Sequence, residues 1–284
     1  MKIKDEILLF SSGIVILILT FLAFGKDGFA EWKGVQSEFL DIAEAKIGEK
    51  RAKEFQTGIQ MIWVPEIKVV DRCKTCHMAI DIPGFESEKQ PFSTHPNLEQ
   101  WNETHPFKNY GCTTCHGGQG FAVTTKEAHG NVKHWERPLL SNDMAKEYGF
   151  NKASELMEVN CNSCHRRETD TPGMPNINMA KKLIQDKNCA QCHIMDGKNG
   201  GTLGPEITYV GSKHPETFGF DGVEGKRSVM NWHIQHFKLP AKVSKGSIMP
   251  PFGFSDEEIR ALSILVMSWR KVKVPMEYVP YKRD

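Results

Sequence analysis

The placement of the cysteines constrains this chain more than any other feature. All 8 cysteines fall in four C-x-x-C-H strings, which are Cys73 to His77 (CKTCH), Cys112 to His116 (CTTCH), Cys161 to His165 (CNSCH) and Cys189 to His193 (CAQCH). Composition alone predicts only about 0.01 such strings in a chain of this length. Because every cysteine belongs to a string, none remains for a separate structural disulfide. The strings are unevenly spaced, which argues against a tandem repeat.

This pattern is typical of c-type haem attachment. Two thiols three positions apart can bond to the two vinyl groups of one porphyrin, and the adjacent histidine can ligate its iron. Disulfides and zinc sites also use C-x-x-C, but neither requires a histidine directly after the second cysteine. The sequence therefore predicts four covalently attached haem c groups, bound by Cys73, Cys76, His77, Cys112, Cys115, His116, Cys161, Cys164, His165, Cys189, Cys192 and His193.

The N-terminal segment predicts one membrane-spanning helix. Ile7 to Phe24 contains no charged residue, and at about 1.5 Å per residue it would extend about 27 Å, close to the thickness of a bilayer core. A cleaved signal peptide has similar features, but the candidate site Gly28-Phe29-Ala30 lies beyond the charged Lys26 and Asp27. Haem attachment of this kind takes place outside the cytoplasmic membrane. We therefore expect a single-pass protein of the cytoplasmic (inner) membrane whose haem domains face the periplasm.

Charge gives no sign of a polyanionic partner. The formal net charge is only +1, so we expect no nucleic-acid partner. The lipid bilayer is the expected contact of the one membrane-spanning helix. After the anchor, Glu31 to Phe55 has apolar residues three and four positions apart, which predicts an amphipathic helix. This helix could hold the haem region away from the membrane, contact a partner subunit, or pack within the chain.

The C-terminal part predicts a compact helical domain. Met179 to Lys187 is a short helical stretch before the fourth string. Ser255 and Glu258 form the pattern of a capping box at the start of a second helix. An apolar stripe with helical spacing follows at Ile259, Leu262, Val266 and Trp269.

Residues 176–272 resemble the class I monohaem cytochrome c family. A helix before C-x-x-C-H, then a Gly-Pro pair, then a methionine loop before the last helix recur there in this order. The resemblance implies that His193 is the proximal ligand, that the Pro205 carbonyl orients its ring, and that Met249 is the distal ligand. The nearby Trp232 to His236 run resembles cytochrome subunits of haem-copper oxidases, in which the two histidines are not ligands. We therefore interpret His233 and His236 as packing or surface residues.

Residues 30–170 resemble multihaem c-type cytochromes found with quinol-oxidising cytochrome b subunits. The resemblance rests on the VDRCxxCH, THP, HPF and GCTTCHGGQG strings. Together the features predict a mainly α fold with much irregular loop. Its parts are a transmembrane anchor at 1–25, an amphipathic stalk helix at 26–58, a loop-rich triple-haem region wrapped on porphyrins at 59–175, and a class I cytochrome c domain at 176–284.

Low-spin haems also need a sixth ligand. His95 and His105 each precede a proline, which favours an extended backbone that could present the ring to an iron. The candidate distal ligands of the first three haems are His95, His105 and His129, with His134, Met78, Met144, Met157 and Met174 also possible.

The expected function is relay of single electrons in a respiratory chain, without substrate chemistry of its own. The chain would serve as a subunit or acceptor of a quinol-oxidising cytochrome b or bc-type complex, or pass electrons to another periplasmic cytochrome. Three alternatives remain. The chain could be a self-sufficient tetrahaem quinol dehydrogenase, an enzyme with one open haem, or the cytochrome subunit of a haem-copper oxidase or nitric oxide reductase.

Overall fold

The computed structural model describes residues 3–195 and 200–280. Residues 1–2 of the predicted anchor, and residues 196–199 and 281–284 of the predicted C-terminal domain, lie outside the described residues. The prediction of a mainly helical chain is confirmed, with 49% helix and 3% strand. The helices are α1 (Ile3–Gly28), α2 (Glu31–Ile47), α3 (Glu49–Ala52), α4 (Leu98–Thr104), α5 (Phe107–Tyr110), α6 (Thr113–His116), α7 (Thr125–Ala128), α8 (Asn142–Lys146), α9 (Ala153–Cys161), α10 (Pro175–Asp186), α11 (Val229–Lys238), α12 (Pro240–Val243) and α13 (Asp256–Ser268).

Helix α1 is long and apolar enough to cross a membrane. Its large apolar side chains are exposed, including Leu8 at 69%, Phe21 at 70% and Phe24 at 74%. A helix that is apolar on every side suits a lipid environment better than water. This agrees with the spanning helix predicted at Ile7 to Phe24.

The chain divides into two compact units. Unit 1 comprises Met1–Val64, Val69–Gly111 and Gln119–Trp135, and unit 2 comprises Pro65–Lys68, Cys112–Gly118 and Glu136–Asp284. The second and third C-x-x-C-H strings therefore lie in the same unit as the fourth. Helix α9, which leads into the third string, packs against α10 and α13. The predicted domain boundary between 175 and 176 stays a prediction.

Unit 1 is organised around α2. Phe39 on this helix is fully buried, and its ring centre lies 5.0 Å from that of Phe55 and 5.5 Å from that of Phe85. Ala43 and Met78 belong to the same buried cluster. The apolar face of α2 therefore packs against the segment that carries the first string, rather than standing apart as a stalk.

A two-stranded antiparallel sheet leads into the first string. Strand β1 (Ile62–Val64) pairs with β2 (Val69–Asp71), with Ile62 opposite Asp71 and Val64 opposite Val69. Because Asp71 ends β2 two residues before Cys73, the sheet fixes where the first string begins.

Unit 2 is built on α13, which packs against α9, α10 and α11. The predicted capping box is confirmed: the Ser255 hydroxyl accepts from the Glu258 backbone N–H, and the Glu258 carboxylate accepts from the Ser255 N–H. The predicted apolar stripe is buried, with Ile259 and Leu262 each 2% exposed, and Leu265 beside it is fully buried. The helix predicted at Met179 to Lys187 is α10, which starts four residues earlier at Pro175, a favoured first-turn residue.

Candidate haem-attachment sites

The four strings share one backbone conformation. In each, the carbonyl of the first cysteine accepts a hydrogen bond from the N–H of the histidine, at 2.9 Å (His77), 3.0 Å (His116), 3.2 Å (His165) and 3.0 Å (His193). The N–H of each second cysteine donates to the same carbonyl. A single tight turn therefore holds both thiols and the imidazole in each string, which is the arrangement that covalent haem attachment requires.

The eight cysteines are thiols rather than disulfides in this structure. Within residues 3–195 and 200–280, no three His, Cys, Asp or Glu side chains gather into a cluster that could hold a bare metal ion. Each string presents its own pair of thiols and its own histidine.

Unit 1 holds the first string through Gln36. The Gln36 side chain is 2% exposed, and its Nε2 donates to the Thr75 carbonyl at 2.9 Å and to the Gly58 carbonyl at 2.8 Å. The Thr75 hydroxyl donates to the Gln60 carbonyl at 3.1 Å. A buried amide on α2 therefore fixes the loop between Cys73 and Cys76. Burial, followed by the charges of Glu31 and Cys73, raises the pKa of the Cys76 thiol.

His77 and His129 lie close together in unit 1. Their ring centres are 6.3 Å apart. Metal-bound imidazole nitrogens lie about 2 Å from the metal, so two rings on opposite sides of one iron have centres about 6 Å apart. Helix α7 positions His129, since the Thr124 hydroxyl caps its start and the His129 N–H donates to the Thr125 carbonyl at 3.1 Å. The pair therefore fits a haem carried on Cys73 and Cys76.

His95 and His105 lie on either side of Trp101. The Trp101 ring centre is 6.3 Å from that of His95 and 5.7 Å from that of His105. The His95 Nδ1 hydrogen-bonds with the Pro96 carbonyl at 2.7 Å, and burial lowers the pKa of this imidazole. Both rings are half-buried, and His95 is held largely in the neutral form that can ligate iron.

The other candidates for distal ligands lie in different surroundings. His134 is exposed and has a left-handed backbone with φ 69°. Met78 and Met174 are each 3% exposed inside the apolar clusters of unit 1 and unit 2, respectively, which indicates packing roles. Met144 and Met157 are half-buried in unit 2.

The second and third strings meet in unit 2. The thiols of Cys115 and Cys161 hydrogen-bond with each other, and this bond, followed by burial, raises the pKa of Cys161. Burial and the nearby Cys115 also raise the pKa of Cys164. The Asn160 amide donates to the Cys115 carbonyl at 2.9 Å and accepts from Arg270 on the far side. These contacts place the attachment points of two haems side by side.

Helix α9 ends at the first cysteine of the third string, and a buried carboxylate on this helix joins it to α10. Glu158 is 3% exposed, and its oxygens accept from the Ile177 N–H at 2.8 Å and the Asn176 side chain at 2.7 Å. It therefore satisfies backbone donors in the first turn of α10. Burial raises the pKa of Glu158, although these hydrogen bonds oppose that effect.

At the third string, His165 Nδ1 hydrogen-bonds with the Glu168 carboxylate. At the fourth, His193 Nδ1 hydrogen-bonds with the Pro205 carbonyl at 2.8 Å, which is the contact that the class I resemblance implies. A Cβ on Gly204 would lie 2.5 Å from His193 Cε1, so the chain needs glycine where the backbone passes this ring. The two proximal rings are thus held by acceptors of different charge.

The two histidines of α11 are packing residues rather than surface ones. His233 is 4% exposed and lies edge-on to Phe218 at 5.5 Å, while His236 stacks on Trp232 at 4.6 Å. Burial, followed by His236 and Lys213, lowers the pKa of His233 to about 3. Burial and the nearby His193 lower that of His236 to about 4. Both rings are neutral at pH 7.

Met249 lies half-buried in the loop before α13, and its N–H donates to the Ser247 hydroxyl at 3.2 Å.

The sequence analysis did not identify Gln36, Asn160 or Glu168 as residues of these sites. The position of Glu168, three residues after the histidine of the third string, could have indicated a carboxylate in contact with that histidine. The other two have no local signal, because their partners are distant along the chain.

Two family models match the chain. Residues 177–269 match the model described as cytochrome c, and residues 96–194 match the model described as cytochrome c7 and related cytochrome c. Comparison with curated proteins and with solved structures returns no match. The matches cover the second, third and fourth strings, whereas Cys73 to His77 lies outside both. They support a multihaem c-type cytochrome that transfers electrons and binds haem c covalently.

Proposed function

We propose that this chain is a membrane-anchored tetrahaem c-type cytochrome that relays single electrons in a respiratory chain. It would act as a subunit or acceptor of a quinol-oxidising cytochrome b or bc-type complex, or pass electrons to another periplasmic cytochrome. The packing of α6 against α9 carries the proposal, because it makes the second and third attachment sites neighbours, and Asn160, next to Cys161, donates to the Cys115 carbonyl at 2.9 Å. Adjacent redox groups suit a relay, whereas an enzyme needs one group open to its substrate.

The chain's own residues would hold the iron of each haem. His77 and His129 have the spacing of an opposed pair. His193, oriented by Pro205, would pair with Met249. His95 and His105 are the other candidate distal ligands among the first three haems. Haem, when bound, supplies an iron that gains and loses one electron. A thioether ligand such as Met249 favours the reduced iron, so electrons would pass toward the C-terminal site.

Helix α1 would anchor the chain in the cytoplasmic membrane, with both units on the periplasmic side. Its exposed apolar side chains and its length support the membrane-spanning role. The periplasmic orientation follows from the haem attachment that the proposal requires. Anchoring would keep the relay close to a membrane-bound electron donor.

The function is tested by mixing the purified, oxidised full-length chain in mild detergent with a menaquinol analogue under anaerobic conditions. The absorption band of reduced haem is followed over time, and dithionite gives the fully reduced reference. We expect slow reduction of the isolated chain and rapid reduction after native membrane extract is added. Rapid reduction of the isolated chain would instead show a self-sufficient quinol dehydrogenase.

The ligand pair of the first haem is tested with His129→Gly. Loss of the distal ring should convert one haem in four to a high-spin form in the EPR spectrum, and added imidazole should restore the low-spin signal. His134→Gly is the matched control, since this histidine is exposed and its φ of 69° suits glycine. An unchanged low-spin spectrum in His129→Gly would remove His129 from the ligand set.

A further inference from the structure

The third string differs from the fourth in the group that its histidine contacts. His165 Nδ1 hydrogen-bonds with Glu168 Oε2, a carboxylate oxygen. His193 Nδ1 hydrogen-bonds with the Pro205 carbonyl, which is uncharged. A histidine that gives its second N–H to a carboxylate is a more basic metal ligand than one that gives it to a neutral acceptor.

The carboxylate is held in place by a network within unit 2. The Thr171 hydroxyl donates to Glu168 Oε2 at 3.1 Å, and Thr171 itself is 5% exposed. On α10, Lys181 Nζ donates to the carbonyls of His165 at 2.8 Å and Glu168 at 2.6 Å. The turn from His165 to Thr171 is thereby fixed against α10, and Glu168 cannot leave the ring without breaking several contacts.

The surroundings preserve the effect of this charge. The His165 side chain is 17% exposed and that of Glu168 27%, so water screens the pair only partly. The nearest competing cation in sequence is Arg166. Its guanidinium donates to the Thr208 carbonyl and lies over the rings of Tyr209 at 5.5 Å and Trp269 at 5.9 Å. Glu168 is a charged group in direct contact with the imidazole.

We propose that Glu168 is a positioning residue that lowers the reduction potential of the haem on Cys161 and Cys164 below that of the haem on Cys189 and Cys192. A more basic imidazole and a nearby negative charge both stabilise the oxidised iron. The pair of acceptors, Glu168 at one site and Pro205 at the next, then sets the direction of electron transfer within unit 2. This inference rests on the proposed function, because it requires haem on the third string.

The test is a spectropotentiometric titration of the full-length protein in detergent, with Glu168→Gln as the first variant. Glutamine keeps the shape and an acceptor oxygen but removes the charge. We expect one of the four reduction potentials to rise by at least 59 mV. For a one-electron couple, this corresponds to a tenfold change in the reduction equilibrium constant of that haem. Met249→His should shift the potential of the haem on the fourth string. The potential that shifts in Glu168→Gln must be a different one.

Asp170→Asn is the matched control, because Asp170 is an exposed carboxylate on the same turn that contacts Asn178 rather than His165. It should leave all four potentials unchanged. Thr171→Val removes a donor that holds Glu168 beside the ring, so the same potential should rise, but by less than in Glu168→Gln, where the charge itself is lost. A structural defect unrelated to Glu168 would not move this one potential in that order.

The inference is overturned if Glu168→Gln moves no potential, or moves the same potential no further than Asp170→Asn does. If Glu168→Gln does not accumulate with its haems, Thr171→Val decides, and an unchanged or lower potential of that haem refutes the proposal. Haem content by mass spectrometry is measured first. Fewer than four haems in the wild-type chain would contradict the proposed function, whereas four haems insensitive to Glu168 would contradict only this inference.

Discussion

Gly204 offers a direct test of how the fourth string is built. An alanine Cβ at this position would lie 2.5 Å from His193 Cε1 and 2.7 Å from Nδ1. Carbon atoms in comfortable contact are about 3.5–4.0 Å apart, so the ring would have to move by about 1 Å. The φ angle of Gly204 does not fall in the left-handed region. The cost of Gly204→Ala therefore comes from this contact and not from backbone strain.

A 1 Å displacement, on the order estimated above, would break the 2.8 Å hydrogen bond between His193 Nδ1 and the Pro205 carbonyl. Overpacking costs about 1–3 kcal/mol, and loss of a hydrogen bond costs about 0.5–1.5 kcal/mol. We therefore expect Gly204→Ala to destabilise unit 2 by about 2–4 kcal/mol. For a unit of this size, that corresponds to a fall in melting temperature of about 5–15 °C.

The assay combines thermal unfolding of the four-haem protein, followed by far-ultraviolet circular dichroism, with its low-spin EPR spectrum. Gly219→Ala is the control, because a Cβ there meets nothing within 4 Å. We expect Gly204→Ala to melt earlier and to lose or shift the signal of one haem, while Gly219→Ala matches the wild type. If the two variants behave alike in both measurements, the close approach of Gly204 to His193 does not control this site.

Two further substitutions test the helix contacts that stabilise unit 2. Ser255→Ala removes half of the capping box and should lower the free energy of unfolding of unit 2 by about 1 kcal/mol in urea titrations, whereas Ser154→Ala, at an exposed position inside α9, should be neutral or slightly stabilising. Glu158→Gln should lose less stability relative to wild type at pH 7 than at pH 4. Because burial raises the pKa of Glu158 above its ordinary 4.5, the folded chain retains a proton that the unfolded chain releases, and wild-type stability falls as pH rises through that window. An equal difference at both pH values would contradict this account.

Local patterns in the sequence predicted much of the structure. The four C-x-x-C-H turns, the capping box at Ser255 and the buried stripe of α13 each depend on residues within a few positions of one another. Such patterns specify backbone geometry and burial without reference to the rest of the fold. The Gly-Pro pair at 204 and 205 was also visible, although its role came from a family resemblance.

What the sequence did not predict depends on contacts between distant residues. Asn160 meets Arg270, which lies 110 positions along the chain, and this contact helps to place the third string in the same unit as α13. Glu158 reaches the first turn of α10, and Gln36 reaches Thr75. Each is a polar side chain in a helix whose partner no local pattern identifies.

These distant contacts bear on how a relay can work. Helix α6 packs against α9, Asn160 links the second string to Arg270 just after α13, and Glu158 links α9 to α10, which leads into the fourth string. Three strings are therefore fixed to one helical core instead of being carried on independent loops. Because packed helices resist deformation, the spacing between the attachment sites is set by the fold, and loss of Asn160 or Glu158 should disturb more than one site at once.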